Sequence, residues 1–337
     1  MTKETKNFRI LICILLALTM ICSVLFAVLF VLHIEKDVMA EEYGIYVAGV
    51  PVTPDNEDDI LGDGTVCYDP YNNILIFDNA TIEFEYTTVY SKIDLTIQLI
   101  GENTFVSTYE DYSIGIYASD NHLTKDLAIL GDGSLTIELP NAGTEAIGIY
   151  ASDLTIMSDV TVKTSDCEHA VNGIACTSSL LIGNKATVTV NNGAGFFSSA
   201  VRVRGNAFFD EGTALKVSVN PGTTGICKGL SVSGDLVLSK DTALAVSIDD
   251  GATDLGECLR VSGLLEIGAG STVTASAKNA HAIECLGSME ANKDAKISAI
   301  SQQNDIDVFC SGALVQYGAT IDGEIDALGG IHNRVEQ

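Results

Sequence analysis

The heptapeptide IGIYASD occurs twice in this chain, at 114–120 and again at 147–153. A chain that repeats itself cannot choose its fold one segment at a time, because each copy must pack against the next. Following the tyrosine of this heptapeptide gives nine equivalent positions: Tyr90, Tyr117, Tyr150, Ala175, Arg202, Ser231, Arg260, Glu284 and Phe309. Successive positions are 24 to 33 residues apart, and the length differences fall in polar turns such as Asn121 to Asp126.

The flanks of this column decide the geometry. The residue before it is aliphatic in all nine units, from Val89 and Ile116 to Val308, and the residue after it is small or apolar, from Ser91 and Ala118 to Cys310. Two matched flanks around a variable centre have a period of two, which belongs to a strand with its flanks inward and its centre outward. Each unit continues with a second strand (LTI at 154–156, LVL at 236–238) and a third (DVTVKT at 159–164, TALAVSI at 242–248). The predicted fold is therefore all-β: a right-handed parallel β-helix, or solenoid, of about nine three-strand coils over 89–317, with equivalent residues stacked about 4.8 Å apart. Open strand edges need covers, so 43–88 reads as an N-terminal β cap and 318–337 as a C-terminal cap. The 31 Gly and only 5 Pro suit tight turns, and no window after residue 40 has a sustained helical period.

Ahead of the repeats lie a basic tail (1–9, with Lys3, Lys6 and Arg9), an apolar segment (10–34) and a linker (35–42). The run from Ile10 to Leu32 is uncharged, and crossing a bilayer takes about 20 residues. It reads as one hydrophobic helix through which the chain meets the membrane, with the basic tail held in the cytoplasm and everything after it outside. Val38-Met39-Ala40 also offers small residues to a signal peptidase. Two readings stand: a single-pass protein with an extracellular C-terminal domain, or a secreted one cleaved after Ala40.

Lys plus Arg number 18 against 45 Asp plus Glu, a net charge of −27. Such a surface repels phosphate backbones, which excludes nucleic acid as a partner, and it favours a soluble monomer. Nine Cys include Cys13 and Cys22 in the apolar segment, and none has zinc-site spacing. Cys176, Cys285 and Cys310 fall on the inward column, where a thiol serves as a small hydrophobe; Cys285 and Cys310, on adjacent coils, are also near enough to bridge.

Candidate sites follow from what the column displays. Ten of the eleven Tyr lie within 43–150, and Tyr90, Tyr117 and Tyr150 occupy three consecutive outward positions. Such a ladder either stabilises the sheet or offers apolar faces and hydroxyls to a polysaccharide or glycan. Arg202 and Arg260, two coils apart, are candidate bases for a polysaccharide lyase, or Arg260 pairs with Glu284. The acidic loop with Asp55, Asp58, Asp59 and Asp63 is a solvated turn or a weak Ca²⁺ site. Asp249-Asp250, like Asp58-Asp59, is an adjacent acidic pair in a turn next to Gly, and the five His are scattered. No acid–base constellation stands out, which leans the reading away from an enzyme.

The stretch GIYVAGVPVTPDNEDDILGDGTVCYDPYNNILIFDNATI (44–82), with IGIYASD and LTI after it, resembles cell-surface carbohydrate-binding-domain proteins of gut clostridia and their relatives. Those are similar in fold to pectate-lyase-like β-helices. The resemblance covers about 43–160 and implies a surface glycan-binding role; it carries no functional residue over. The reading is an exported, surface-exposed, non-catalytic β-helix that binds glycan. A lyase on the same fold and an adhesin or spacer that binds protein are the alternatives, and the fold does not choose among them.

The anchor reading has a direct check. The protein should fractionate with membranes and keep its basic tail; N-terminal sequencing that finds a chain beginning at Glu41 in the medium contradicts the anchor and leaves export intact.

Overall fold

The computed structural model describes residues 42–220, 226–248, 256–278, 281–302 and 306–334. The apolar segment at 10–34, the site after Ala40 and the pair Asp249-Asp250 lie outside the described residues. The chain divides into two units, Met1–Glu42 with Thr53–Asp55, and Tyr43–Val52 with Asn56–Gln337. The second unit is the solenoid.

It is all-β, a parallel β-solenoid of the right-handed type with about eight turns, and it has no helix among the described residues. Three sheets run its length. One coil shows the plan: Glu145–Ala151 lies in the first sheet, Leu154–Ile156 in the second and Asp159–Thr164 in the third. The nine positions of the tyrosine column pair in unbroken parallel register, from Tyr90 against Tyr117 to Glu284 against Phe309. Nine rungs are joined by eight turns of chain.

The inward ladders hold the coils together. Val89, Ile116, Ile149, Ile174, Val201, Leu230, Leu259, Ile283 and Val308 are each 0% exposed. Burying one such side chain stabilises the fold by about 1.5–3 kcal/mol, so the row acts as a hydrophobic seam along the molecule. The second sheet stacks Ile97, Ile129, Ile156 and Ile182 in the same manner. Cys176, Cys285 and Cys310 are buried in these ladders, and all seven described cysteines are free thiols. Burial also pushes the Cys258 thiol up to about 12, which keeps it protonated and unreactive.

The corners are tied by side chains that cap the next coil. Asp94 Oδ1 accepts from Asp126 N (2.9 Å), Asp126 Oδ1 from Asp153 N (3.1 Å), and Asp153 Oδ1 from Ser179 N (2.8 Å). Asn206 and Asp235 continue the device at Asp235 N (2.9 Å) and Leu264 N (2.7 Å). A short side-chain acceptor at each corner satisfies an amide that the strand ladder leaves free.

The ends differ. Ile45–Val47 folds back on Val50–Pro51 and pairs antiparallel with Thr87–Ser91, which closes the first sheet. Val66–Asp69 and Ile74–Asp78 form an antiparallel hairpin on the second sheet, and Thr81–Phe84 begins the third. Residues 318–337, expected as a C-terminal cap, contain Thr320–Asp322, Ile325–Ala327 and Ile331–Asn333, which extend the three sheets in parallel register.

In the first sheet the strands bend at one column: Gly115, Gly148, Gly173, Ala200, Gly229 and Cys258. There two consecutive residues point inward, as Gly148 and Ile149 do, so the strand switches which residues face out. A Cβ on Gly148 would collide with Val162 Cγ1 and the Gly173 carbonyl. Gly148→Ala should therefore destabilise by about 1–3 kcal/mol, as overpacking does. Thermal unfolding against exposed Asn141→Ala checks this; equal melting midpoints contradict the close fit.

Candidate functional site

The outward column of the first sheet begins as an aromatic ladder. Tyr90 and Tyr117 have ring centroids 6.1 Å apart, and Tyr117 and Tyr150 stack at 4.9 Å with 13° between planes. A fourth ring joins them: Tyr46 pairs antiparallel with Tyr90, with centroids 5.7 Å apart. Tyr46 was overlooked as a column member because its strand runs the other way, although Gly44-Ile45-Tyr46 repeats the GIY of both heptapeptides. Lys92 Nζ lies 5.0 Å from the Tyr46 ring centroid and donates to its hydroxyl at 3.2 Å.

This stacking limits what the ladder offers a ligand. Neighbouring rings use their faces on one another, so the inner tyrosines present edges and hydroxyls to solvent. Burial, reinforced by Tyr150, pushes the Tyr117 hydroxyl above its ordinary value. Of the three candidate rings Tyr90, Tyr117 and Tyr150, the last ends the ladder. Beyond Tyr150 the next rung is Ala175, too short to stack, and among the described residues no ring or cation covers that side of Tyr150. Arg202 follows on the rung after, about 10 Å from Tyr150 along the axis.

At this point the outer face opens into a cleft of about 520 Å³. It straddles the bend at the glycine column, which is why residues of different strand parity share it. Glu145, Asn172, Phe197, Arg202, Arg204 and Lys228 lie along its wall, with Ser198, Ser199, Ser231 and Ser233. Phe196 and Phe197 beside it are both 53% exposed and meet edge to face. Ser199, Phe197 and Lys228 are not legible in the sequence, because a period-of-two pattern does not show where two consecutive residues turn inward.

Charge pairing sorts the cations. Glu257 holds both Lys228 Nζ (2.7 Å) and the Arg260 guanidinium, and Arg260 Nε also lies 3.6 Å from Glu284. Arg260 is thus the centre of an ion-pair cluster with Glu257 and Glu284. Arg202 and Arg204 make no ion pair or side-chain hydrogen bond among the described residues.

The acidic loop is turned on itself. Asp59 Oδ1 accepts from Gly62 N (2.9 Å) and Gly64 N (3.0 Å), and Asp63 accepts from Thr65 N (2.9 Å) and Thr65 Oγ1 (2.7 Å). The Thr65 hydrogen bonds hold the Asp63 carboxyl below its usual range. Asp55 and Asp58 are exposed. No group of three or more His, Cys, Asp or Glu that could hold a metal ion occurs among the described residues, and no described helix is long and apolar enough to cross a membrane.

Comparison of the chain with protein-family models, curated proteins and solved structures found no match. Fold and site geometry therefore bear the functional argument.

Tyr117 sits between two rings, so Tyr117→Ala removes two ladder contacts and should destabilise by about 1–3 kcal/mol. Tyr71→Ala, at a residue 96% exposed, should change stability by less than about 0.5 kcal/mol. Equal denaturation midpoints for the two variants contradict a structural role for the ladder.

Proposed function

We propose that this chain is a surface-displayed, non-catalytic β-solenoid that binds a glycan on the outer face of its first sheet. The observation that carries the reading is the end of the tyrosine ladder. Among the described residues Tyr150 has a ring side with no partner ring, and two rungs further along the same column Arg202 lines a cleft of amide, hydroxyl and guanidinium groups that also holds the exposed ring of Phe197. An apolar ring next to convergent donors and acceptors suits a sugar, which has apolar C–H faces and a rim of hydroxyls. The rigid parallel ladders under the site hold these groups in place before any ligand arrives, which lowers the ordering cost of binding.

Two further observations support display rather than turnover. The net charge of −27 keeps a surface domain soluble and away from anionic polymers. Of the two arginines considered as lyase bases, Arg260 is held by Glu257 and Glu284, and among the described residues Glu145 alone of the carboxylates lines the cleft with Arg202. A lyase needs several carboxylates for its cation beside the base. The resemblance of 43–160 to surface carbohydrate-binding-domain proteins of clostridia agrees with this reading, as do the apolar segment at 10–34 and the basic tail before it.

A glycan array probed with the full chain in a detergent lacking sugar headgroups tests the proposal. Binding to one family of glycans is expected, and Tyr150→Ala should weaken it about tenfold while leaving the chain folded. No bound glycan, or unchanged binding by folded Tyr150→Ala, contradicts the proposal.

A further inference from the structure

Cations are scarce here, 18 Lys plus Arg among 337 residues, yet Arg202, Arg204 and Lys228 line one cleft. Positive charge gathered in one place on an acidic molecule raises a local potential that the rest of the surface lacks. Lys228 is neutralised by Glu257 at 2.7 Å. Arg202 and Arg204 are not neutralised among the described residues, although carboxylates outnumber cations across the chain. Arg202 lies on the strand Phe197–Val203 and Arg204 in the bend just after it, and both line the cleft.

A second observation comes from the wall of the cleft. Ser199 is 9% exposed and its Oγ has no hydrogen-bond partner. Leaving a buried hydroxyl unpaired costs about 1–3 kcal/mol, a penalty that a bound acceptor removes. Ser199 occupies the column between Asn172 and Lys228, on the same strand as Arg202. One buried donor and two unpaired guanidiniums thus converge on one cavity, next to Phe197.

We infer that this cleft binds the carboxylate of an acidic sugar, with Arg202 and Arg204 as its charge partners and Ser199 as a hydroxyl donor. The inference rests on the glycan-binding reading and names the class of sugar. A planar guanidinium matches a carboxylate through two parallel hydrogen bonds, which a neutral hydroxyl cannot reproduce. Glu145 on the same wall repels further negative charge, as does the acidic remainder of the chain. The ligand therefore presents one isolated carboxylate, as on a single uronic acid, rather than an unbroken run of them.

Titration calorimetry on the full chain in the same detergent tests this with methyl β-D-glucuronide, methyl β-D-glucoside and acetate. The glucuronide should bind at least tenfold more tightly than either of the others. That margin should vanish in Arg202→Gln/Arg204→Gln and shrink several-fold in Ser199→Ala. Circular dichroism establishes that the variants are folded, and Arg204→Gln alone, at an exposed position, provides a milder version of the same test. If glucuronide and glucoside bind equally, the carboxylate assignment falls and the glycan-binding reading stands. Acetate binding as tightly as glucuronide overturns the sugar, because the site is then for a free anion. A margin that survives in folded Arg202→Gln/Arg204→Gln overturns the roles of the arginines. Affinity that climbs with each unit of an oligouronate contradicts the single charge.

Discussion

Register between neighbouring coils is the constraint on which the rest of the structure depends. Successive side chains of a strand point to opposite faces, so a slip of one residue would send a whole inward ladder into solvent. The nine aliphatic residues from Val89 to Val308 are all fully buried, which fixes each coil over the one before it. Variation in unit length is consequently confined to corners, where Asp94, Asp126, Asp153, Asn206 and Asp235 catch the next backbone amide whatever the local loop does. The outward column inherits this order, and the tyrosines at its start add ring contacts of their own. Its residues are free to change from Tyr to Ala to Arg to Ser, and a binding face can be composed on a framework that does not vary.

Most of the framework was legible because a strand's period of two survives in the residues themselves. The inward flanks at Val89, Ile116 and Ile149 read directly from the sequence, and so did the stacking of Tyr90 on Tyr117 on Tyr150. The site was less legible, for three physical reasons. Tyr46 joins the ladder from an antiparallel strand, so its motif follows no constant spacing. The orientation of the rings depends on side-chain torsions, which decide that faces are spent on neighbouring rings and only edges reach solvent. The change of facing at Gly148 and its equivalents brings Ser199, Lys228 and Phe197 beside Arg202 although alternation from the tyrosine column does not place them there.

Charge acts on two scales. Over the whole chain a net −27 sets solubility and repels polyanions, and this was evident from composition. Locally, Glu257 absorbs Lys228 and Arg260, whereas Arg202 and Arg204 make no ion pair among the described residues. Which cations are spent and which are free is a matter of neighbours across rungs, and composition cannot report it. The same comparison separates the two arginines once considered equivalent as candidate bases: one is a structural ion-pair centre, the other borders a cavity.

The central claim is that one face of one sheet, at the end of the tyrosine ladder, is the binding face. Hydroxyl-radical footprinting of the full chain, with and without a glycan selected on the array, reads side-chain exposure of aromatic residues directly. Tyr150 and Phe197 should be protected by the ligand, while Tyr71, at 96% exposed and far from the cleft in the hairpin between Val66 and Asp78, should be oxidised at an unchanged rate. Protection that spares Tyr150 and Phe197 and falls on the second or third sheet would contradict the account.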